Sequence, residues 1–242
     1  MSVILDIADT MQSFDRQAAE RICAAAAGAT GETFAICLSG GETPRPIYAL
    51  LADEPYRARM PWARIHWFFG DERHVPHDDV RSNFKMVQEA LFSRAPIPAQ
   101  NIHAIPTDRS VEESASAYAR ELQSFYGAPE LSADRPLFDL MLLGLGPDGH
   151  TASLFPGHAA LGERRKWALP ITTPTQPEPR ITLTLPVLES SRAVLFLVAG
   201  AEKRDALRRL RTGDTTAPAA RLHPPGAIHV ITDAAAASQG EH

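Results

Sequence analysis

Short apolar runs alternate along this chain with stretches in which apolar residues recur at helical spacing. Residues 12–27 place Phe14, Ala18, Ile22 and Cys23 on one helical face. Residues 34–38 form a short apolar strand that ends in Ser39-Gly40-Gly41. A helix then opens at Thr43 and runs through Leu51, with Thr43 as N-cap and Pro44 at the first helical position. The next strand, 65–69, ends in Gly70-Asp71-Glu72-Arg73, and the stretch from there through Val80 reads as a functional loop. Residues 82–94 read as a helix with Phe84, Val87, Leu91 and Phe92 on its apolar face. Residues 102–105 read as a short strand, and Ser110 with Glu113 forms a capping box that starts a helix running to about Tyr126. Residues 138–143 are the central apolar strand. Residues 167–171 and 180–185 read as strands, the second alternating Ile181, Leu183 and Leu185 with Thr182 and Thr184. A buried strand over 193–198 leads through Gly200 into a basic helix over 202–210, and 228–231 is the last strand. The tail after Ser238 is expected to be disordered.

Strands separated by helices predict an α/β protein with a mostly parallel sheet covered on both faces. A chain of 242 residues can hold one large α/β core. There is no internal repeat and no long linker, and the proline-rich stretch 170–179 reads as a loop rather than a boundary. One domain over 1–242 is therefore expected. Residues 1–10 have neither a basic flank nor a long apolar core, so they do not read as a signal peptide. No apolar run approaches the roughly 20 residues that span a bilayer. The net charge of −5, from 24 basic and 29 acidic residues, argues against a general nucleic-acid binder. Cys23 and Cys37 both sit in apolar surroundings and read as buried free thiols, which fits a reducing, cytoplasmic setting.

In a doubly wound sheet, ligands bind at the carboxyl ends of the strands, and the notable polar residues all fall at such ends. Ser39-Gly40-Gly41-Glu42-Thr43-Pro44 offers backbone amides to an anion, with hydroxyls at Ser39 and Thr43 and a helix start behind them. It reads equally as a phosphate cradle and as an ordinary glycine turn with a capped helix. Gly70-Asp71-Glu72-Arg73 brings three charges to a strand end. Arg73 could grip a carboxylate or an oxyanion, or the group could be an exposed ion-pair cluster. Asp148-Gly149-His150 follows the central strand, where the chain is expected to pass into a helix. An acid two residues from a histidine can fix its tautomer and raise its basicity. Arg180 and Lys203 are each ordinary surface cations by themselves, but together near a phosphate cradle they would neutralise a dianion. Asp71 and Gly146 are further site candidates.

Two other chemistries fit less well. Gly144-x-Gly146-x-x-Gly149 matches the dinucleotide fingerprint literally. However, Asp148 would face the pyrophosphate, Pro156 cuts the following helix short, and Arg164-Arg165-Lys166-Trp167 stands where a ribose-binding acid belongs. Nine histidines are scattered without a close pair at helical ligand spacing. His74 and His77 share a loop with Asp78 and Asp79, which reads as solvated rather than as a metal site. No metal and no cofactor are expected.

Five blocks in order resemble the 6-phosphogluconolactonase family. They are Ser39-Gly40-Gly41-x-Thr43-Pro44, Trp67-x-Phe69-Gly70-Asp71-Glu72-Arg73-x-Val75-Pro76 with Ser82-Asn83, the run from Gly144 to Pro156, Arg180-Ile181-Thr182-Leu183-Thr184, and Phe196-Leu197-Val198-x-Gly200-Ala201-Glu202-Lys203. One departure lies at His229-Val230-Ile231-Thr232-Asp233, where family members often carry a tryptophan before the final Asp-Ala-Ala. The resemblance implies a Rossmann-like three-layer α/β/α sandwich, shared with glucosamine-6-phosphate deaminases and isomerases. It also implies a sugar-phosphate substrate, catalysis by His150, and contact of Arg73 and the glycine loop with substrate. The expected reaction is hydrolysis of 6-phospho-D-glucono-1,5-lactone in the oxidative pentose phosphate pathway.

In that scheme His150 takes a proton from the water attacking C1, and Asp148 orients it. Arg73 holds the developing oxyanion or the sugar hydroxyls. Ser39, Gly40, Gly41, Thr43, Arg180 and Lys203 anchor the phosphate. The expected partner is the small-molecule substrate, with no nucleic acid or membrane, and the chain is a monomer or small homo-oligomer. The competing readings are an amino-sugar-phosphate deaminase or isomerase on the same fold, a non-catalytic sugar-phosphate sensor, and a nicotinamide oxidoreductase.

Overall fold

The apolar runs become strands buried on both faces, as parallel sheets require. The structure, a computed structural model, describes residues 3–173 and 177–238. Its strands and helices in chain order are β1 (Val3–Ala8), α1 (Met11–Gly28), β2 (Phe34–Leu38), α2 (Arg45–Leu51), α3 (Tyr56–Arg59), β3 (Ile65–Phe69), β4 (Asp71–Arg73), α4 (Asn83–Val87), α5 (Val111–Tyr126), β5 (Leu140–Gly144), β6 (Ala168–Ile171), β7 (Arg180–Leu183), α6 (Leu185–Glu189), β8 (Val194–Val198), α7 (Arg204–Thr212), β9 (Ile228–Asp233) and α8 (Ala234–Ala237). Six strands form one sheet in the order β1-β9-β8-β5-β2-β3, every neighbour parallel. With helices on both faces this is a three-layer α/β/α fold.

Side-chain alternation along β3 assigns the layers. Trp67 and Phe69 meet Phe92, and Phe69 also meets Phe84, on the α4 side. His66 and Phe68 point the other way, onto Phe125 of α5. A second sheet, β4-β7-β6, is antiparallel and follows β3 through the single residue Gly70.

The strand order places the switch point. From β2 the chain moves outward to β3, whereas from β5 it moves the opposite way to β8 and then β9, which lies beside the first strand β1. The ladder between β2 and β5 has only two Cα pairs, Ile36 with Leu140 and Cys37 with Met141. Beyond them the two carboxyl ends diverge, and a crevice opens there.

Several sequence expectations change. The helix expected from Thr43 starts at Arg45, with Pro44 in the N-cap place and no side-chain cap, because residues 42–44 form a turn first. No helix follows Asp148-Gly149-His150. Thr151 and Leu154 instead bridge a tight turn in which Ala152 has φ +47°. Asp71–Arg73, read as the charged end of the 65–69 strand, is a separate strand pairing with Arg180–Thr182. The runs at 167–171 and 180–185 are strands of this second sheet rather than the parallel one, and Leu185 belongs to α6. The strand expected at 102–105 reduces to one bridge between Trp67 and Ile102. Ser82 does cap α4, but a π-helical turn over Gln88–Phe92 completes that segment. The basic helix runs Arg204–Thr212, and Lys203 lies in the 3-10 turn before it. Strand β1 was not foreseen. The disorder expected after Ser238 lies outside the described residues.

Two buried tyrosines close the strand ends that frame the crevice. Tyr48 accepts from the Ser39 N–H (3.1 Å) and donates to its carbonyl (2.8 Å). Tyr118 accepts from the Phe69 N–H (2.9 Å) and donates to its carbonyl (3.0 Å). Tyr118→Phe leaves both polar groups of Phe69 buried and unpaired, so it should cost about 1–3 kcal/mol of stability. An unchanged urea midpoint would refute that role.

Candidate functional site

The loops after β2, β3, β5 and β8 converge on one cavity of about 260 Å³. Ser39, Gly40, Gly41, Thr43, Asp71, Arg73, Gly146, His150, Arg180 and Lys203 all line it. The structure thus brings together every residue expected for the sugar-phosphate site except Asp148, which is not in the lining and reaches the site through the imidazole. Nδ1 of His150 lies 2.6 Å from Asp148 Oδ1, and the same oxygen accepts from the His150 backbone N–H at 3.0 Å. A carboxylate only accepts, so Nδ1 carries the proton and the neutral ring keeps Nε2 unprotonated. Partial burial works against the charge on Asp148, but the two His150 groups outweigh it and hold its carboxyl below the usual range.

Gly146 makes room for that ring. A Cβ there would stand 2.0 Å from His150 Nδ1 and 2.2 Å from Cε1. Phe155 supports the imidazole from another side, with ring centroids 4.7 Å apart. The backbone closes the loop around both, since Gly146 N–H donates to the His150 carbonyl (2.8 Å) and Gly149 N–H to the Gly146 carbonyl (2.9 Å).

The acid–cation block resolves into three roles. Glu72, 1% exposed, is not a surface charge. It accepts from the backbone N–H groups of Arg73, Asn83 and Phe84 and from the Ser82 hydroxyl. Burial pushes its carboxyl up, against the pull of those donors. Glu72 therefore pins the start of α4 to β4. Asp71, 8% exposed, accepts from Ser153 Oγ at 2.5 Å and lies 3.8 Å from Arg180. Arg73 donates to the Arg81 carbonyl, while its buried Nε has no partner among the described residues.

The cations differ in setting. Burial lowers the pKa of Arg180, Asp71 opposes that shift and Arg73 adds to it. A guanidinium remains charged regardless. Lys203 lines the cavity with no hydrogen-bond or ion-pair partner for its ammonium among the described residues.

Other candidates from sequence do different work. Nε2 of His74 meets the Arg109 carbonyl at 2.8 Å, and Nε2 of His77 meets that of Ile105 at 2.8 Å. Asp79 is engaged by Arg81. These groups fasten the loop, and no cluster of three or more metal-ligating side chains occurs among the described residues. No helix among the described residues is long and apolar enough to cross a membrane.

Sequence reasoning missed Asn83 and Ser153 as parts of the site. Both lie inside blocks already singled out, yet neither carries a charge. Ser153 is wholly buried, and Asn83 follows a helix cap that explained its segment without it.

Fold and site together define a three-layer α/β protein with a cation-lined crevice at the switch point of its sheet. The family described as glucosamine-6-phosphate isomerases/6-phosphogluconolactonase matches residues 9–231, and the chain belongs to it. A 6-phosphogluconolactonase of Nostoc sp. is 41% identical over 85% of this chain and 84% of its own length. The crystal structure of a 6-phosphogluconolactonase from Thermotoga maritima is 33% identical, covers 96% of this chain and 100% of that one, and superposes with a TM-score of 0.83. A monomeric glucosamine-6-phosphate deaminase, at 21% identity and a TM-score of 0.80, shares the fold.

Gly146→Ala tests the fit of the imidazole. Its Cβ should push the ring off position and lower kcat about 100-fold, the cost of roughly a 1 Å misplacement. Turnover near wild type in a folded variant would show that the ring position does not matter.

Proposed function

We propose that the chain hydrolyses 6-phospho-D-glucono-1,5-lactone to 6-phosphogluconate in the oxidative pentose phosphate pathway. The observation that carries this reading is a histidine with a fixed tautomer sharing one small cavity with a glycine turn and three cations. The curated relatives of that name, and the matching crystal structure, support it. The reading takes the whole chain as one catalytic domain, monomeric or a small homo-oligomer. A cytoplasmic location belongs to it, in keeping with the two buried free thiols.

Nε2 of His150 accepts a proton from water as the water oxygen attacks C1. The carbonyl electrons move onto oxygen, and Arg73 receives that charge. The intermediate collapses by breaking the bond from C1 to the ring oxygen, which takes the proton back from the imidazolium. The products are a carboxylic acid and a free 5-hydroxyl, and the enzyme returns to its starting state. Asp148 steadies the imidazolium between the two transfers. Lys203, Arg180, the Ser39 and Thr43 hydroxyls and the Gly40-Gly41 amides hold the phosphate. Binding energy from that remote end brings C1 to the base.

His150→Ala should lower kcat about 10²–10⁴-fold while 6-phosphogluconate still binds. Lys203→Ala should chiefly raise KM. Both are read by lactone hydrolysis followed as acid release, corrected for spontaneous opening. Normal turnover in His150→Ala removes the base from the scheme, and release of ammonia from glucosamine 6-phosphate by the wild type would favour a deaminase instead.

The pH profile supplies a separate check. Asp148 is held below the usual carboxylate range, so its charge, and the orientation it gives the ring, should persist to lower pH than that of an ordinary carboxylate. A general base works only unprotonated, so log kcat should fall with unit slope on the acid side for as long as Asp148 keeps its charge. A slope of two would mean that Asp148 titrates in the same window.

A further inference from the structure

Asn83 has no part in that chemistry, yet its side chain stands between two walls of the cavity. It is 2% exposed. Its backbone N–H is held by Glu72 Oε1 at 2.7 Å, and its Nδ2 donates to the Asp71 carbonyl at 2.9 Å. A longer approach of 3.5 Å runs from Nδ2 to Asp71 Oδ1. These bonds decide which end of the amide is which, since a flipped amide would set two carbonyl oxygens face to face. Oδ1 is left buried, with no hydrogen-bond partner among the described residues.

That amide covers Gly40. A Cβ built on Gly40 would stand 2.0 Å from Asn83 Oδ1, 2.2 Å from Cγ and 2.5 Å from Nδ2. Gly41 needs glycine for its φ of +97°, but Gly40 is not among the glycines with positive φ. What a side chain at Gly40 would meet first is therefore the Asn83 amide, not a backbone constraint. A packing residue of the same shape, such as leucine, would fill the space without an unpaired buried acceptor. The amide is explained by its tie to Asp71 on one side and its contact with the turn on the other.

We propose that Asn83 is a positioning residue: its amide is the spacer that sets the glycine turn against β4, and so aims the turn's donors at a phosphate monoester. This rests on the lactonase reading for its assay, though not for its geometry. A phosphate dianion is held by several donors at once, so a small rotation of the turn weakens all of them together.

The test is a double-mutant cycle with Gly40→Ala, Asn83→Ala and the pair. Gly40→Ala should raise KM for the lactone by tenfold or more. Asn83→Ala should raise KM about tenfold, with a smaller fall in kcat. The pair should be no worse than Gly40→Ala alone, because the atoms that collide are gone. Asn83→Ser, which is shorter but polar, serves if Asn83→Ala does not fold. Multiplying KM effects would overturn the proposal, as would an Asn83 variant that lowers Tm while KM stays put. The same proteins titrated with inorganic phosphate by calorimetry should show the same coupling in Kd. If the wild type fails to open the lactone, the functional reading falls while the phosphate cycle still decides the role of Asn83. Phosphate affinities that show no coupling reject it.

Discussion

A tyrosine hydroxyl that accepts from a backbone N–H and donates to the carbonyl of the same residue closes a strand end twice in this fold. Tyr48 does this at Ser39 and Tyr118 at Phe69. A strand in a buried parallel sheet cannot simply stop, because its last N–H and C=O would be left without partners away from water. Satisfying both from one side chain frees the next residue to leave the ladder. Ser39 can then turn into Gly40-Gly41, and Phe69 can hand over through Gly70 to a strand of the other sheet. The site exists because the backbone is released there at no loss of hydrogen bonding.

Charge is then arranged around what the backbone leaves open. Asp71 is the buried acid of the cavity. It is partnered by Ser153 Oγ and lies near Arg180, a cation whose burial would otherwise be costly. Glu72, one residue on, faces the opposite side of β4 and spends its charge on the α4 start. Neighbouring carboxylates therefore do separate jobs, one orienting groups in the cavity and one fastening its wall. Lys203 is the contrast: it enters from the β8 side without an acid partner among the described residues, so its charge is available to an anion.

The parallel core was legible because its strands are apolar on both faces and end in glycine or small polar residues. Strands β2 and β3 run as expected, and β5, β8 and β9 shift by a residue or two. Strand β1 was not legible: it is a half-buried edge strand with Ile4 and Ile7 exposed, so its pattern is neither a continuous run nor an alternation. The second sheet was missed for a different reason. Local sequence shows that 168–171 and 180–183 favour strand, but not which strand they join, and Asp71–Arg73 is too short and too charged to signal one. Within the site, charged residues were found by position and chemistry. Asn83, Ser153 and the two tyrosines were not, because each has a sufficient local explanation as cap neighbour or core residue. Their function lies in long-range bonds that only the fold creates.

The glycines of the loop after β5 show how one spacing can serve unlike chemistries. In a dinucleotide site they would permit a tight turn, close approach of a pyrophosphate, and close packing of a helix on a strand. Here Gly144 sits beside Ser39, whose Oγ would be 3.4 Å from a Cβ. Gly146 clears the space the imidazole occupies, and Gly149 takes φ +88° with Ala217 against it. No helix follows to receive an anion, because the chain turns tightly through Ala152 instead. The space that a nucleotide site would leave for phosphate oxygens holds a histidine ring, so the loop presents an imidazole where such a site would present backbone donors. In the proposed reaction the anion-binding role passes to the turn after β2, and the two loops that diverge at the switch point divide binding and proton transfer between them.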